Sequence, residues 1–421
     1  MNKSTYVLLI VLAAFTGSSV SAADRPSLPK NAPKWLVKDM KKESRKKKLR
    51  RVKLADGAIE IQVTGKLVEP PEETDSGTWY LATNYGGEID VNCWVITEPR
   101  YMYESLISTA DNLLESTAEL NDNAKIIGKE NYYTETGYLE GYPHAAFERL
   151  IVLETKDKQQ LQGLQKTRIA QREDVTFICS HTELGYIKTF EKMFKNLVLK
   201  AKINMPSENP YYEEQQLISM NGSTAGFAQI FMSLDADGDT KIYTETGMMV
   251  PMANGTLMVM DSSGLQYSHP DGRLINGVSA SIRNGEFSHN LQFGRTEDDS
   301  WLVSGTEAGE EINHAISADE EPLSMLGQMF VSKKAIKQDE ESSLTFPIWS
   351  PDVDSSVITT ATLTTGKSKR GKTEALSVVG PLKMNVILDD SGSTISSVTE
   401  VPGASIQTQR FSMKGAVRSP E

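Results

Sequence analysis

The sequence lacks most of the motifs that identify an enzyme. It contains no glycine-rich phosphate-binding loop and no Gly-x-Ser-x-Gly elbow. Its five histidines include no pair at helical or zinc-ligand spacing, so each is expected on the surface or at a helix cap. No catalytic residue, metal or other cofactor is therefore predicted. Acidic residues are too plentiful for a carboxylate pair to be identified by spacing alone.

Long apolar runs are also scarce, and the prominent one lies at the N terminus. Lys3 precedes an apolar run at residues 6–15, and the small residues Ser21 and Ala22 follow. This order is typical of a secretory signal peptide, and the run is about half of the ~20 residues that cross a bilayer. Residues 1–22 are therefore predicted to be a removable signal, and the protein is expected in a bacterial periplasm, or outside a cell that lacks an outer membrane. No cysteine lies directly after Ala22, which argues against an acylated N terminus.

The segment that follows, residues 23–56, is strongly basic in a chain whose net charge is −12. Such a segment can rest on anionic lipid headgroups, bind nucleic acid, or be a solvated tail or leader helix that can fold back on the acidic body of the protein. Export and the scarcity of aromatic residues argue against nucleic acid, and the other two alternatives stay open. The candidates for contact with a membrane surface are Lys41, Lys42, Arg45, Lys46, Lys47, Lys48, Arg50 and Arg51.

Only two cysteines are present, Cys93 and Cys179. In an oxidising compartment an even pair predicts a disulfide, and loop-closure entropy would make it worth roughly 4–5 kcal/mol. Two buried free thiols are the alternative. The segment around Cys93 is similar to the nucleophile segment of transglutaminases, but it has the alternation of a strand and not a helix start that would lower a thiol pKa. A structural cysteine is therefore favoured.

Two domains are predicted, and together they make an α+β protein. Helix and strand patterns mix over residues 57–203, where the capping-box spacing at Ser180 predicts the start of the last helix. Two prolines mark a linker at residues 204–210. Alternating runs separated by Asn-Gly and Asp-Gly turns predict an antiparallel sheet with one helix over residues 211–411. Residues 412–421 are predicted to be a flexible tail.

The first domain resembles the PsbP/Mog1-like α/β sandwich. The likeness lies in the order of its elements over about residues 57–203 and in the final strand–helix unit, residues 175–203. It implies a mainly antiparallel sheet. That family consists mostly of scaffold and binding proteins, so the resemblance implies no chemistry.

The second domain resembles LolA-like β-rich periplasmic domains, including those found beside transglutaminase-like domains. The matching segments are residues 225–230, 269–274 and 384–392, and the last is a strand, an acidic turn and a returning strand. The resemblance implies a curved, half-barrel-like antiparallel sheet. Relatives enclose an apolar groove between that sheet and its helix, and some carry lipid.

Five methionines cluster across two predicted strands of this second domain. Flexible thioethers suit an adaptable apolar groove, and they equally suit an ordinary core. A nearby acidic turn, residues 235–239, is interpreted as a hairpin turn, because the positions of an EF-hand that need Gly and Glu hold Thr240 and Thr246. The candidate groove residues are Met248, Met249, Met252, Met258 and Met260.

These patterns predict a non-enzymatic cell-envelope protein that binds an apolar ligand or a protein partner through its second domain. One alternative is an interaction module of an envelope complex without a small ligand. Another is a hydrolase or transferase whose carboxylates come together from distant positions. Partners are expected among envelope proteins, apolar ligands and anionic membrane surfaces, and not among nucleic acids.

Overall fold

The computed structural model describes residues 25, 34–44, 49–75, 77–84, 90–98, 101–121, 123–206, 209–252, 256–298, 300–316, 321–338 and 341–417, apart from the side chain at position 367. It is an α+β structure dominated by antiparallel strands. The predicted signal peptide lies outside the described residues. Within them, no helix has the length and apolarity to cross a bilayer. The chain divides into two compact units, and the division falls between residues 207 and 208.

In its described residues, the first unit contains a large sheet, a small sheet, three α-helices and a short 3-10 helix (Ala55–Gly57). The large sheet has the order β3-β5-β6-β10-β9-β8-β7, with β4 paired to β5, and the small sheet has the order β1-β2-β11. The elements are α1 (Lys34–Met40), β1 (Leu49–Leu54), β2 (Ile59–Thr64), β3 (Lys66–Leu67), β4 (Glu72–Asp75), β5 (Thr78–Asn84), β6 (Asp90–Ile96), α2 (Met102–Leu120), β7 (Lys125–Leu139), β8 (Tyr142–Glu154), β9 (Gln160–Arg172), β10 (Val175–His181), α3 (Ile187–Leu199) and β11 (Lys202–Ile203).

The two long helices of this unit pack on opposite faces of the large sheet. Strand β8 shows the division, because successive side chains on a strand point to opposite faces. Ile151 and Leu153 contact α2, whereas the ring of His144 lies 5.9 Å from that of Phe194 on α3. The apolar stripe of α3 also packs against the small sheet.

Helix α3 starts later than the capping-box spacing predicts. Strand β10 continues through His181, because Ser180 pairs with Thr167 in the ladder and its hydroxyl lies 2.8 Å from that of Thr167. The helix begins at Ile187, after Tyr186 in the left-handed conformation. Strand pairing therefore outweighs the local capping signal at this point of the chain.

The N terminus of α3 is capped by the basic segment, which packs on the first unit. The Glu43 carboxylate accepts hydrogen bonds from the backbone N–H of Lys188 at 3.0 Å and of Thr189 at 2.8 Å. Gly185 has a φ of +75°, and a Cβ there would lie 2.3 Å from the carbonyl oxygen of Asp39. The described residues 34–44 and 49–54 are therefore packed on this unit.

The second unit is one antiparallel sheet of fourteen strands with one helix. The order is β19-β18-β17-β16-β15-β14-β13-β12-β25-β24-β23-β22-β21-β20, so the last strand returns to pair with the first. The elements are β12 (Tyr212–Met220), β13 (Ser223–Leu234), β14 (Thr240–Pro251), β15 (Leu257–Ser268), β16 (Leu274–Arg283), β17 (Glu286–Arg295), β18 (Trp301–Glu307), β19 (Glu310–Ile316), α4 (Met325–Ile336), β20 (Ser342–Trp349), β21 (Ile358–Lys369), β22 (Lys372–Val379), β23 (Leu382–Asp389), β24 (Thr394–Val401) and β25 (Ala404–Gly415).

Strand β25 extends further than the sequence predicts. It pairs with β12 as far as Gly415, opposite Tyr212, so residues 412–415 are strand and not tail. The reason is tertiary, because β12 lies about two hundred residues earlier and supplies the ladder partner.

The sheet curves, and α4 lies on its concave face. The rings of Phe293 on β17 and Trp349 on β20 stack with centroids 4.7 Å apart, although these strands are not neighbours in the sheet. Leu326 and Met329 of α4 pack against a cluster that includes Met232. The Ser324 hydroxyl caps the helix by accepting from the N–H of Gly327.

Candidate functional site

The two cysteines form the predicted disulfide. Cys93 on β6 lies directly opposite Cys179 on β10, with an Sγ–Sγ distance of 2.08 Å. Both residues are buried. The sulfur atoms are therefore structural, and no thiol is available here as a nucleophile.

A cavity of about 240 Å³ opens on the concave face of the second unit, beside the first residue of α4. Strands β12 to β16 supply most of its wall, because alternate residues of each strand point to this face. The cavity is slightly smaller than the ~300–1,000 Å³ of ordinary ligand pockets. Its lining residues are Gln216, Ala228, Gln229, Ile230, Thr244, Thr246, Ser262, Ser263, Gly264, Ser279, Met325 and Asp352.

The lining combines apolar groups with hydroxyl groups. Within the described part of the chain, the side-chain hydroxyls of Thr246 and Ser262 have no hydrogen-bond partner. Gly264 keeps the space open, because a Cβ at this position would lie 2.7 Å from Thr244 Oγ1. The cavity can therefore offer hydrogen bonds to a polar group and contact surface to an apolar one.

The five methionines predicted to line a groove lie in different surroundings, and none of them lines the cavity. Met248 and Met260 belong to an apolar cluster next to it. Met258 shares their face, and its sulfur lies 3.7 Å from Arg283 Nη2. Met249 is buried, but strand alternation turns it to the opposite face, and Met252 follows the end of β14. The proposed groove role of these residues stays a prediction.

A hydroxyl–imidazole pair lies at the wall of the same cavity. Ser279 Oγ is 2.9 Å from His289 Nε2, and Asp352 and Glu307 act on the imidazole electrostatically. Burial is the largest effect and lowers the pKa of His289. Ser279 lies in the middle of two ladders, with β15 and with β17, so neighbouring N–H groups are engaged and cannot stabilise an oxyanion. The arrangement is that of a buried polar pair.

Three histidines differ from the surface or capping positions that the sequence predicts. His144, His181 and His289 are buried, because each lies on an inward face of a central strand. Among the described residues, neither ring nitrogen of His181 has a hydrogen-bond partner. No local sequence signal could have identified these positions, since strand alternation alone does not say which face is covered.

A buried polar row crosses the large sheet of the first unit. Tyr133, Glu148, Lys166 and His181 are successive cross-strand partners on β7, β8, β9 and β10. Arg25 covers the row: its guanidinium donates to both Glu148 carboxylate oxygens, with Nη2–Oε1 at 3.0 Å, and lies 4.5 Å from the centroid of the Tyr133 ring. Desolvation lowers the pKa of Lys166 to about 7. Arg25 of the basic segment thus covers this polar row.

The candidates for membrane contact are partly described. Lys41, Lys42, Arg50 and Arg51 are exposed, and Arg50 and Arg51 lie on β1. Lys42 also forms an ion pair with Asp39 at 2.9 Å. Arg45, Lys46, Lys47 and Lys48 lie outside the described residues.

A second, more open hollow of about 730 Å³ lies over β16, β17 and β18. At its rim, Arg273 and Arg295 both bind the carboxylate of Glu321, with Arg273 Nη1–Oε2 at 2.6 Å. The guanidinium of Arg295 also lies over the ring of Trp301. These cations are already engaged by a carboxylate of the same chain, so the hollow is a weaker candidate than the concave cavity.

The acidic turn forms the predicted hairpin connection. Asp235 Oδ1 accepts hydrogen bonds from the N–H of Asp237 at 3.0 Å and of Asp239 at 2.9 Å. In the described part of the chain, no three His, Cys, Asp or Glu side chains are grouped as metal ligands.

No protein-family model matches the chain, and no curated protein matches it. A β-barrel-like protein of the domain of unknown function DUF1849 from Brucella abortus is similar at 10% identity over 49% of this chain and 98% of its own, with a TM-score of 0.40. Cyanobacterial PsbP from Synechocystis is similar at 8% identity over 37% of this chain and 92% of its own, with a TM-score of 0.26. A DUF1089 family protein from Pseudomonas aeruginosa is similar at 10% identity over 47% of this chain and 91% of its own, with a TM-score of 0.19.

None of these likenesses is close enough to carry a function. The chain has a weak structural likeness to PsbP, and its resemblance to LolA-like domains stays a prediction. What the structure itself defines is an α+β protein with a cavity under a curved sheet.

Proposed function

We propose that this is a non-enzymatic binding protein of the cell envelope, whose second unit holds a small ligand in the concave cavity. The observation that carries the proposal is the cavity itself, with a wall that combines Ile230 and Met325 with hydroxyl groups without partners. Ligand sites are concave, mostly apolar and supplied with a few polar groups. The hydrogen-bond capacity of Thr246 and Ser262 is available to a ligand.

Export to the periplasm is part of this proposal and is supported by the sequence pattern of residues 1–22. The disulfide is consistent with an oxidising compartment. The exposed cations Lys41, Lys42, Arg50 and Arg51 support a contact with anionic lipid headgroups. Because the segment is packed on the first unit, this contact would be made by a surface patch and not by a free tether.

The test is occupancy of the cavity. Protein purified from its native envelope is extracted, and the extract is analysed by mass spectrometry; the emptied protein is then titrated with a fluorescent naphthylamine dye that reports apolar sites. We expect one saturable site. Ala228→Leu should fill the cavity and abolish dye binding, whereas Ser304→Leu, in the outer hollow, should leave it unchanged.

Two results would overturn the proposal. One is the absence of both a copurified molecule and saturable dye binding. The other is equal loss of binding in both variants, which would place the dye elsewhere. Circular dichroism of each variant shows whether the fold is retained.

A further inference from the structure

The concave cavity lies between two methionine-rich clusters. At one end, Ala228 packs against a cluster that contains Met248 and Met260. At the other end, Ile230 and Met325 pack into the cluster of α4. Unbranched thioether side chains change rotamer at low cost, so both ends can yield to a chain longer than the present cavity. This shape suits an alkyl chain lying along the strands.

The charge at the cavity is of one sign. Asp352 is the only ionisable residue among the described lining residues, and it is exposed, so it marks the open side. His289 behind Ser279 adds no positive charge at neutral pH, because burial lowers its pKa.

Neither Arg283 nor Arg410 lines the cavity, and each contacts another group. The Arg283 guanidinium lies against the sulfur of Met258. Arg410 Nη1 pairs with Asp389 at 2.6 Å, and its Nη2 lies 3.8 Å from Glu214, a carboxylate that also accepts from Gln216. Among the described residues that line the cavity, a carboxylate or phosphate headgroup would therefore meet an acid and no cation, whereas an ammonium group would find a partner.

We propose that the ligand is a single-chain amphiphile with a cationic, amine-type head, which pairs with Asp352 at the mouth while its alkyl chain extends between the two methionine-rich clusters. This inference rests on the proposed function. It adds the chemical class of the ligand and the direction in which it lies.

The experiment compares three probes with the same alkyl chain and different heads: dodecylammonium, dodecyl maltoside and dodecanoate. Each is titrated below its micelle concentration into the full chain by calorimetry and by dye displacement. We expect the ammonium probe to bind about fivefold more tightly than the neutral one, which corresponds to the ~1 kcal/mol of one exposed ion pair. The carboxylate should bind most weakly.

Two variants locate the head. Asp352→Asn should remove the preference for the ammonium probe and leave the neutral probe unchanged. Glu297→Gln removes the same charge from a hairpin turn of the same unit that does not line the cavity, and it should keep the preference.

The outcomes separate this inference from the proposed function. Equal affinity for the ammonium and neutral probes, or a preference that survives Asp352→Asn, would overturn the inference and leave cavity binding intact. Tightest binding of dodecanoate, lost in Arg283→Gln, would also overturn it and place the head at the opposite end. If no probe displaces the dye or binds, both the inference and the proposed function fall.

Discussion

The contact between Arg25 and Glu148 offers the sharpest test of how the basic segment is held. Glu148 is almost fully buried, with 2% of its side chain exposed, and Arg25 is 25% exposed. Replacing Arg25 by Gln removes the guanidinium and leaves the buried Glu148 carboxylate with Lys166, whose pKa is about 7, as its neighbouring amine. Breaking a fully buried pair costs ~3–5 kcal/mol, and partial access of water to Arg25 reduces this to about 2–3 kcal/mol.

The matched control is Arg51→Gln. Arg51 has 71% of its side chain exposed and lies 3.8 Å from Glu60, so its loss should cost at most ~0.5 kcal/mol. The measurement is the opening free energy of α3 and β8, obtained from amide hydrogen exchange in urea. It reports on the first unit alone, which is necessary because a chain of two units need not unfold in one step.

Arg25→Gln should also expose the N-terminal segment to protease, because the segment loses an anchor on the sheet. If Arg25→Gln and Arg51→Gln lower the opening free energy equally, or if protease sensitivity does not change, the segment is not anchored by this pair. The double variant with Glu148→Gln should restore part of the loss, since it removes the unpaired charge.

Two further results are expected. The pKa of Lys166 is about 7 in the folded protein and ~10.4 in the unfolded chain, so the unfolded chain binds more protons between these values and the free energy of unfolding should rise with pH across that window. Lys166→Met should remove this rise, measured by urea unfolding at pH ~7 and ~9. An unchanged pH slope in the variant would refute the lowered pKa of Lys166. The wild-type protein should sediment with anionic vesicles more than with neutral ones at low salt. Replacing Lys41, Lys42, Arg50 and Arg51 by Gln should abolish the difference. Equal sedimentation of the wild type and this variant with anionic vesicles would refute the proposed membrane contact.

The residues that line the candidate site could not be predicted from the sequence. Five methionines that are close in the sequence predict a groove, yet the cavity wall includes Thr244, Ser262 and Ser279 and, from a distant loop, Asp352. None of these residues belongs to a motif. They meet because the strands that carry them are neighbours in a curved sheet, and curvature depends on the whole set of strands and on α4.

Features that depend on local signals could be predicted from the sequence. Turn dipeptides with left-handed residues, as at Asn284-Gly285, defined the antiparallel meander, and the 3.6-residue period defined α3. The pairing of Cys93 with Cys179 was expected from an even number of cysteines in an oxidising compartment, with free thiols as the alternative, and the structure contains the bond. Local signals do not predict which faces are buried, where β25 ends or that Glu43 caps α3, because each depends on contacts between residues far apart in the chain. Alternation reports that a strand has two faces, and packing decides what covers each one.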